Sequence, residues 1–165
     1  MTKIFVDDNL KNILKTHSLD VKNYVPAYNG ESAGLDLYNT GKNIYVMSAA
    51  AQYTAQSPDL KILIPTGIRV AIPKGYVGLI QERGSVTKTP LKVRAGVIDS
   101  GYTGEVFVNC INVTRNEFTI SKGSKLPFQL VVVKCDNEFE VVSEEEYLSL
   151  SRDSSRKDGK VGSSD

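Results

Sequence analysis

The sequence predicts an all-β fold, a jelly-roll-like β-sandwich, from three observations. Its apolar runs are short, and Gly, Pro or Asn turns separate them. Such runs favour a sandwich or jelly roll over a parallel α/β sheet. Helical periodicity is confined to short stretches near the two ends. The length of 165 residues is that of one domain able to bury its own core.

The first elements are a strand and a short helix. Ile4–Val6 is an apolar run that predicts the strand. Leu10, Ile13 and Leu14 recur at helical spacing, which indicates a helix from Asp8 to Leu14.

The next apolar runs predict a hairpin. Leu60–Ile64 and Ile68–Ile72 form one arm, broken by a Pro-Thr-Gly sequence at 65–67. A Pro-Lys-Gly turn at 73–75 leads into the second arm, Tyr76–Gln81. Its glycine suits a turn position with positive φ.

The second half of the chain adds four strands and a tail. The predicted strands are Glu105–Val113, Glu117–Ile120, Phe128–Lys134 and Phe139–Val142. Ser143 followed by Glu146 fits a capping box, which predicts one helical turn. Beyond residue 150 the sole apolar residue is Val161. We therefore expect a single domain at 1–150 and a flexible, disordered arm at 151–165.

Charge and composition limit the partners. Lys and Arg number 20 against 19 Asp and Glu, which argues against a broad nucleic-acid-binding surface but allows a local basic pocket. No run approaches the roughly 18 apolar residues of a membrane span, and the N-terminus has no signal-peptide core. The two cysteines, without a Cys/His cluster, are expected as free thiols. We expect a cytoplasmic protein with neither a nucleic-acid nor a membrane partner.

The predicted strand Glu105–Val113 is apolar on both faces. Val106, Val108 and Cys110 point one way, and Phe107, Asn109 and Ile111 the other. A small sandwich exposes its outer face to water, so this pattern indicates burial by a neighbouring subunit. A strand central to a two-layer core would show the same pattern, and the sequence does not separate the two.

The most informative segment runs from Ala95 to Val106. An apolar run leads into Asp99, a Ser-Gly turn follows, and Tyr102 precedes the next strand. Flanking strands would hold the carboxylate and the ring beside a pocket, where the carboxylate can take a proton from water and the ring can pack on a sugar. Asp, Ser and Gly are also ordinary turn residues, so a plain hairpin turn explains this segment taken alone.

Four further segments accompany it in a fixed order. They are Ser32-Ala33-Gly34-Leu35-Asp36-Leu37, Arg83-Gly84-Ser85, Gly123-Ser124-Lys125-Leu126-Pro127-Phe128-Gln129-Leu130 and Arg156-Lys157-Asp158-Gly159-Lys160-Val161-Gly162-Ser163-Ser164. With the central segment third, the series resembles the trimeric dUTPase family, whose five motifs occur in this order over about this length. The resemblance runs from about Val25 to the C-terminus. It implies a dUTPase-like β-clip with a mobile C-terminal arm, assembled as a homotrimer.

The resemblance implies Mg-dependent hydrolysis of dUTP to dUMP and pyrophosphate, which limits uracil in DNA and supplies dUMP for dTMP synthesis. Asp99 would be the base that activates water, and Tyr102 would pack under the deoxyribose. The backbone from Arg94 through Gly96 and Val97 to Ile98 would recognise the uracil. Asp36 would hold waters of a Mg²⁺ bound to the triphosphate. The implied phosphate-binding residues are Arg83, Gly84, Ser85, Gln129, Arg156, Gly162, Ser163 and Ser164.

The chain departs from the family pattern at four positions. Gly84 replaces a phosphate-binding serine, Gly101 replaces an acidic residue, and Thr103 replaces an arginine. Val161 stands where a phenylalanine stacks on uracil, a contact worth ~0.5–1.5 kcal/mol for an aromatic pair. The Val161 change is expected to weaken turnover or base selectivity without abolishing hydrolysis, and the Gly101 change to be structural and not catalytic. At Gly84, either the loop shifts by one residue so that Ser85 takes the serine's place, or the backbone makes that contact.

Two other functions compete. A dCTP deaminase would need a glutamate on the strand after Asp99, where this chain has Asn109. A regulatory protein of the dUTPase fold, acting by binding a protein partner with weak or altered hydrolysis, would be consistent with the altered second and fifth motifs. Whether the protein is of cellular origin or acts in a host cell's cytoplasm as a viral enzyme stays open.

Overall fold

The computed structural model of the chain describes residues 1–24, 32–54, 62–136 and 138–152. Its strands are β1 (Lys3–Val6), β2 (Gly34–Tyr38), β3 (Ile44–Val46), β4 (Ile62–Ala71), β5 (Tyr76–Glu82), β6 (Leu91–Ala95), β7 (Val97–Ile98), β8 (Glu105–Asn112), β9 (Phe118–Ile120) and β10 (Lys125–Lys134). Its helices are α1 (Asp8–Thr16), α2 (Val21–Tyr24), α3 (Ala49–Thr54) and α4 (Glu144–Arg152), with a 3₁₀ helix at Gly84–Lys88.

Two four-stranded antiparallel sheets enclose the core. The first has the order β1-β4-β8-β6 and the second β2-β10-β5-β7, while β3 and β9 form a small ribbon. Ile64 and Val108 of the first sheet and Leu37 and Phe128 of the second belong to one buried cluster. The predicted β-sandwich is therefore confirmed.

Helix α1 closes one side of this core. Leu10 and Leu14 are fully buried, and Ile13 is nearly so. Asp7 caps the helix by accepting a hydrogen bond from the Leu10 N–H at 2.7 Å. The helix predicted to end at Leu14 continues to Thr16.

The predicted hairpin over residues 59–83 is wrong. Strands β4 and β5 belong to different sheets, because β5 pairs with β10 while β4 pairs with β1 and β8. The turn at 73–75 carries the chain from one sheet to the other, with Gly75 at φ 77° as predicted.

The Pro-Thr-Gly sequence at 65–67 bends β4 without breaking it. The β4–β8 register shifts between Pro65 and Arg69, which marks a bulge. There the Gly67 N–H donates to the Glu105 carboxylate at 2.9 Å, so a side chain of β8 replaces a backbone partner. A proline is tolerated at such a position.

The C-terminal strand predicted at Phe139–Val142 is also wrong. These residues are outside any strand, and Val141 is fully exposed. The single helical turn predicted next is a helix of nine residues, α4, whose Glu146 N–H donates to the capping Ser143 hydroxyl at 3.2 Å. No helix in the described ranges is long and apolar enough to cross a membrane.

Strand β8 has one buried and one partly open face. Val106, Val108 and Cys110 are buried between the sheets, as the alternation predicted. On the other face Phe107 is 41% exposed, and the neighbouring Leu63 of β4 is 51% exposed. The described part of this chain therefore leaves the outer face of β8 partly open.

Candidate active site

The chain segment formed by β6 and β7 leads into the predicted catalytic turn. It passes from the first sheet to the second at Gly96, whose carbonyl accepts from the Ile80 N–H at 2.7 Å. A Cβ at Gly96 would lie 2.9 Å from the Ile80 Cβ and carbonyl oxygen, so glycine permits this close approach. The Asp99 carbonyl then accepts from the Tyr102 N–H at 3.0 Å, which closes the turn.

Tyr102 is held in one orientation. Its hydroxyl donates to the Glu105 carbonyl at 2.6 Å. Its ring lies against Gly104, where a Cβ would come within 2.6 Å of the hydroxyl oxygen. Tyr102 remains 43% exposed, so part of the residue is open to a ligand.

Asp99 and Tyr102 share the wall of a cavity of about 260 Å³. Its other lining residues are Leu63, Ile80, Ala95, Gly96, Val97, Ile98, Glu105, Val106, Phe107 and Asn109. Gly96, Val97 and Ile98, predicted from the sequence, are thus brought together with Asp99 and Tyr102. Arg94 is exposed and lies outside this lining.

A second group of predicted residues gathers where β2, β10 and β5 lie side by side. Gln129 on β10 is opposite Asp36 on β2 and Gln81 on β5. Arg83 follows the end of β5, and its Nε lies 2.6 Å from the Asp36 carboxylate. The second carboxylate oxygen contacts the Lys125 ammonium. Asp36 is 6% exposed, and the positive charges of Arg83 and Lys125 offset its buried negative charge.

Asp36, Arg83 and Lys125 form an ionic cluster, and contacts with the backbone position the neighbouring Gln129. The Gln129 amide donates to the Glu82 carbonyl at 3.3 Å, and its side chain occupies the space that a Cβ on Gly34 would need. The buried Tyr38 lies on the same strand as Asp36. Burial, and then the Asp36 charge, raise the pKa of its hydroxyl.

Gly84 and Ser85 begin the 3₁₀ helix and are exposed. A Cβ at Gly84 would meet nothing within 4 Å, so packing does not require glycine there. The preceding Glu82 joins β5 to β6, since its carboxylate accepts from Lys92 at 3.0 Å and from the Val93 N–H at 3.2 Å. The hydrogen bond from Lys92 lowers the pKa of the Glu82 carboxyl.

The two groups lie apart on one chain. None of Asp36, Arg83, Ser85 and Gln129 lines the cavity that Asp99 and Tyr102 share. The predicted residues Arg156, Val161, Gly162, Ser163 and Ser164, with the predicted flexible arm, are outside the described residues.

Two residues at these sites received no positive role from the sequence. Lys125, an ion partner of Asp36, lies four positions before Gln129. Its place within the fourth segment could have marked it as a site residue from the sequence. Asn109, weighed only as the residue that excludes a deaminase, lines the Asp99 cavity.

The described residues contain no group of three or more His, Cys, Asp or Glu side chains able to cage a metal. A magnesium ion carried by phosphates needs fewer protein ligands, because it keeps several waters. Asp36 already contacts two cations, and a carboxylate so placed can hold water of an ion's hydration shell without ligating the ion itself. The donor set therefore fits Mg²⁺ bound through water and substrate phosphates.

Comparison with known proteins identifies the family. The sequence model of dUTPase matches residues 22–165. The chain belongs to the dUTPase family. A deoxyuridine 5'-triphosphate nucleotidohydrolase of Mycolicibacterium gilvum is 37% identical over 148 residues, which cover 84% of each chain. One of Neorickettsia sennetsu is 31% identical over 144 residues, covering 85% of this chain and 89% of its own.

Solved dUTPases share the fold. The native dUTPase of EIAV is 27% identical, with a TM-score of 0.55 over 70% of this chain and 86% of its own. A dUTPase variant of Staphylococcus bacteriophage 80alpha is 23% identical, with a TM-score of 0.67 over 99% and 98% of the two chains. One from phage phi11 of S. aureus, described with a structural Mg(II) ion, has 23% identity and a TM-score of 0.62 over 88% and 99%.

Proposed function

We propose that this protein hydrolyses dUTP to dUMP and pyrophosphate. The observation that carries the proposal is the cavity of about 260 Å³ in which the Asp99 turn and the oriented Tyr102 ring face one space. Family membership supports the substrate, since the relatives named above are deoxyuridine 5'-triphosphate nucleotidohydrolases.

Asp99 acts as the general base. Its carboxylate takes a proton from a water molecule while the water oxygen forms a bond to the α-phosphorus. The bond from that phosphorus to the oxygen bridging to the β-phosphate breaks, and pyrophosphate leaves with the electron pair. Positioning and charge stabilisation account for most catalysis of this kind.

Arg83 and Ser85 bind phosphate oxygens, together with the Gly84 backbone and Gln129. Arg156, Gly162, Ser163 and Ser164 of the arm complete the set. Asp36 would hold waters of a Mg²⁺ bound to the triphosphate. When bound, the ion neutralises phosphate charge and polarises the reacting phosphorus.

The nucleoside lies against the segment that joins β6 to β7 and against Tyr102. The backbone from Arg94 to Ile98 pairs with the uracil edge, and Val161 of the arm covers the base. The exposed part of Tyr102 packs under the deoxyribose, where a 2′-hydroxyl would not fit. Hydrolysis of this kind removes dUTP from the pool that feeds DNA and supplies dUMP for dTMP synthesis.

The complete site requires more than one chain, and we propose a homotrimer. Two observations support it: Arg83 and Gln129 lie outside the lining of the Asp99 cavity, and the outer face of β8 is partly open in one chain. A second subunit that covers β8 can bring its own Arg83 and Gln129 to the cavity.

The test is an assay of purified protein with dUTP, dCTP or dTTP and Mg²⁺, measuring pyrophosphate and ammonia. Pyrophosphate from dUTP supports the proposal. Ammonia from dCTP would instead identify the protein as a deaminase. If neither pyrophosphate nor ammonia forms, the remaining reading is a regulatory protein that binds a protein partner.

Asp99→Asn should retain the fold and nucleotide binding but lower kcat by ~10²–10⁴, the range for a general base. Near wild-type turnover in this variant would remove Asp99 from that role.

A further inference from the structure

The bulge of β4 holds the first residues of β8. The Gly67 N–H donates to the Glu105 carboxylate at 2.9 Å, and the Thr66 hydroxyl donates to the Val106 carbonyl at 2.5 Å. Thr66 and Gly67 are both buried, so water competes little for either donor. Bulges are frequent next to functional sites, where they change the direction of a side chain. The bulge therefore fixes β8 at the point where the chain leaves the Asp99 turn.

Glu105 is bound both through its side chain and through its backbone. Its carboxylate accepts from the bulge, and its carbonyl accepts from the Tyr102 hydroxyl at 2.6 Å. Both residues line the cavity of Asp99. The segment from Tyr102 to Glu105 sets the orientation of the ring toward the Glu105 backbone. The carboxylate sets where that segment stands on the first sheet, so the position of the ring in the cavity depends on the bond to Gly67.

The Glu105 carboxylate binds the bulge in preference to a neighbouring cation. Arg69 of β4 is the cross-strand partner of Glu105, and opposite charges at such positions commonly attract. Among the described residues, no ion pair joins these two side chains. An ion pair at the surface contributes little, whereas a buried N–H without an acceptor is costly. The need of the Gly67 N–H for an acceptor therefore accounts for this choice of partner.

We propose that Glu105 is a positioning residue that holds the Tyr102 ring where it selects deoxyribose over ribose. The proposal rests on the function proposed above, in which the ring packs under the sugar. Glu105 acts through Tyr102 and does not touch the nucleotide. A ring held in place excludes a 2′-hydroxyl by its position, and a ring that shifts leaves room for one. Discrimination between dUTP and UTP is therefore the property that Glu105 controls.

Two substitutions at Glu105 separate the reach of its side chain from its charge. Glu105→Gln loses the charge but keeps an oxygen at the same reach for the Gly67 N–H. Glu105→Asp keeps the charge but is one methylene shorter, which withdraws the acceptor from that donor. The matched control is Thr66→Val, which removes the neighbouring bond of the bulge, to Val106, and leaves Glu105 unchanged.

Pyrophosphate release from dUTP and from UTP with Mg²⁺ gives kcat/KM for each nucleotide, and a thermal melt measures stability. The ratio of the two kcat/KM values reports the position of the ring. A substitution that displaces Asp99 or loosens the whole fold lowers hydrolysis of both nucleotides alike and leaves the ratio unchanged. The ratio is thus a readout that a purely structural role would not move.

We expect Glu105→Asp to lower the preference for dUTP over UTP about tenfold, the range for one hydrogen bond. The deoxyribose loses its packing surface, and the 2′-hydroxyl of UTP gains room. Glu105→Gln should keep the wild-type ratio. Thr66→Val should melt below wild type, as Glu105→Asp does, but should keep the wild-type ratio.

A wild-type ratio in Glu105→Asp would overturn the role of Glu105, and so would an equal loss in Thr66→Val. A loss in Glu105→Gln as large as in Glu105→Asp would show that charge, and not the bond to Gly67, governs the ratio, which would also overturn it. Equal hydrolysis of dUTP and UTP by wild type would overturn sugar selection by Tyr102 itself. Failure of wild type to release pyrophosphate from dUTP would instead overturn the proposed function.

Discussion

At the scale of single residues, the site depends on contacts that only small side chains permit. Tyr102 lies so close to Gly104 that a methyl group there would overlap the phenol. The Tyr102 hydroxyl has its acceptor one residue further on, at Glu105. The ring orientation is therefore a property of the four-residue segment Tyr102–Glu105.

Gly104→Ala should displace the Tyr102 ring and raise KM for dUTP by about tenfold, because the sugar loses its packing surface. The control is Gly101→Ala, since a Cβ at Gly101 meets nothing within 4 Å. Steady-state kinetics of the two variants measure the effect. Equal KM values for both would show that the ring position does not govern binding.

The two cysteines should differ in reactivity. Burial raises the pKa of the Cys110 thiol from 9.0 to about 12, whereas Cys135 is partly exposed. At pH 8 a thiol reagent should modify Cys135 quickly and Cys110 only on unfolding. The folded state binds the Cys110 proton more tightly than the unfolded state does. The associated stability is present below pH 9.0 and is lost as pH rises toward about 12.

Urea unfolding between pH 9 and 12 tests the second part. Cys110→Val should show a smaller loss of stability over this range than wild type, because it removes the titrating thiol. Cys135→Ser is the matched control and should follow wild type. Rapid labelling of Cys110 in the native protein would contradict the burial of its thiol.

At the scale of elements, helix α1 is joined to the bulge of β4. The Asp7 N–H donates to the Gly67 carbonyl at 2.9 Å, and the Asp7 carboxylate caps the helix. Gly67 has φ 68°, and a Cβ there would lie 2.6 Å from the Asp7 carboxylate. The cap and the bulge therefore fit together only with glycine at 67.

Asp7→Ala should lower the free energy of unfolding by about 1 kcal/mol, the usual contribution of a helix N-cap. Asp8→Ala is the matched control, because Asp8 is exposed and its carboxylate pairs with Lys11 at the surface. Thermal or urea unfolding gives the difference. Equal destabilisation by both substitutions would show that acidic charge, and not capping, stabilises α1.

At the scale of the whole molecule, the two groups of candidate site residues lie in different parts of one chain, so the proposed function needs more than one subunit. One chain presents the Asp99 cavity and, elsewhere, the cluster of Asp36, Arg83 and Lys125. In the function proposed above, which needs both groups, activity depends on the association of subunits and on the arm.

Truncation after Arg152 should leave a trimer in light scattering and an unchanged melting temperature, yet lower turnover of dUTP at least tenfold. The arm supplies phosphate donors in the proposed site but little apolar surface, with Val161 its sole apolar residue. Full-rate turnover by the truncated chain would remove Arg156, Val161, Gly162, Ser163 and Ser164 from the site. A full-length monomer at micromolar concentration would overturn the shared site.

The sequence alone determined the features that depend on neighbouring residues. The Asp99 turn, the positive φ of Gly75, the start of α1 and the inner face of β8 follow from turn chemistry and periodicity within a few residues. The order of the five segments was enough to predict the family. The length of α4 was underestimated, because a capping box marks where a helix begins and not where it ends.

Only the tertiary structure decided which strands pair and which side chains meet across them. A turn at 73–75 is equally compatible with a hairpin and with a passage between sheets, and the pairing of β5 with β10 settles it. The contact of Asp36 with Lys125 follows from the pairing of β2 with β10, two strands distant in the chain. Register across such distances is set by the packing of the whole core, and no local pattern encodes it.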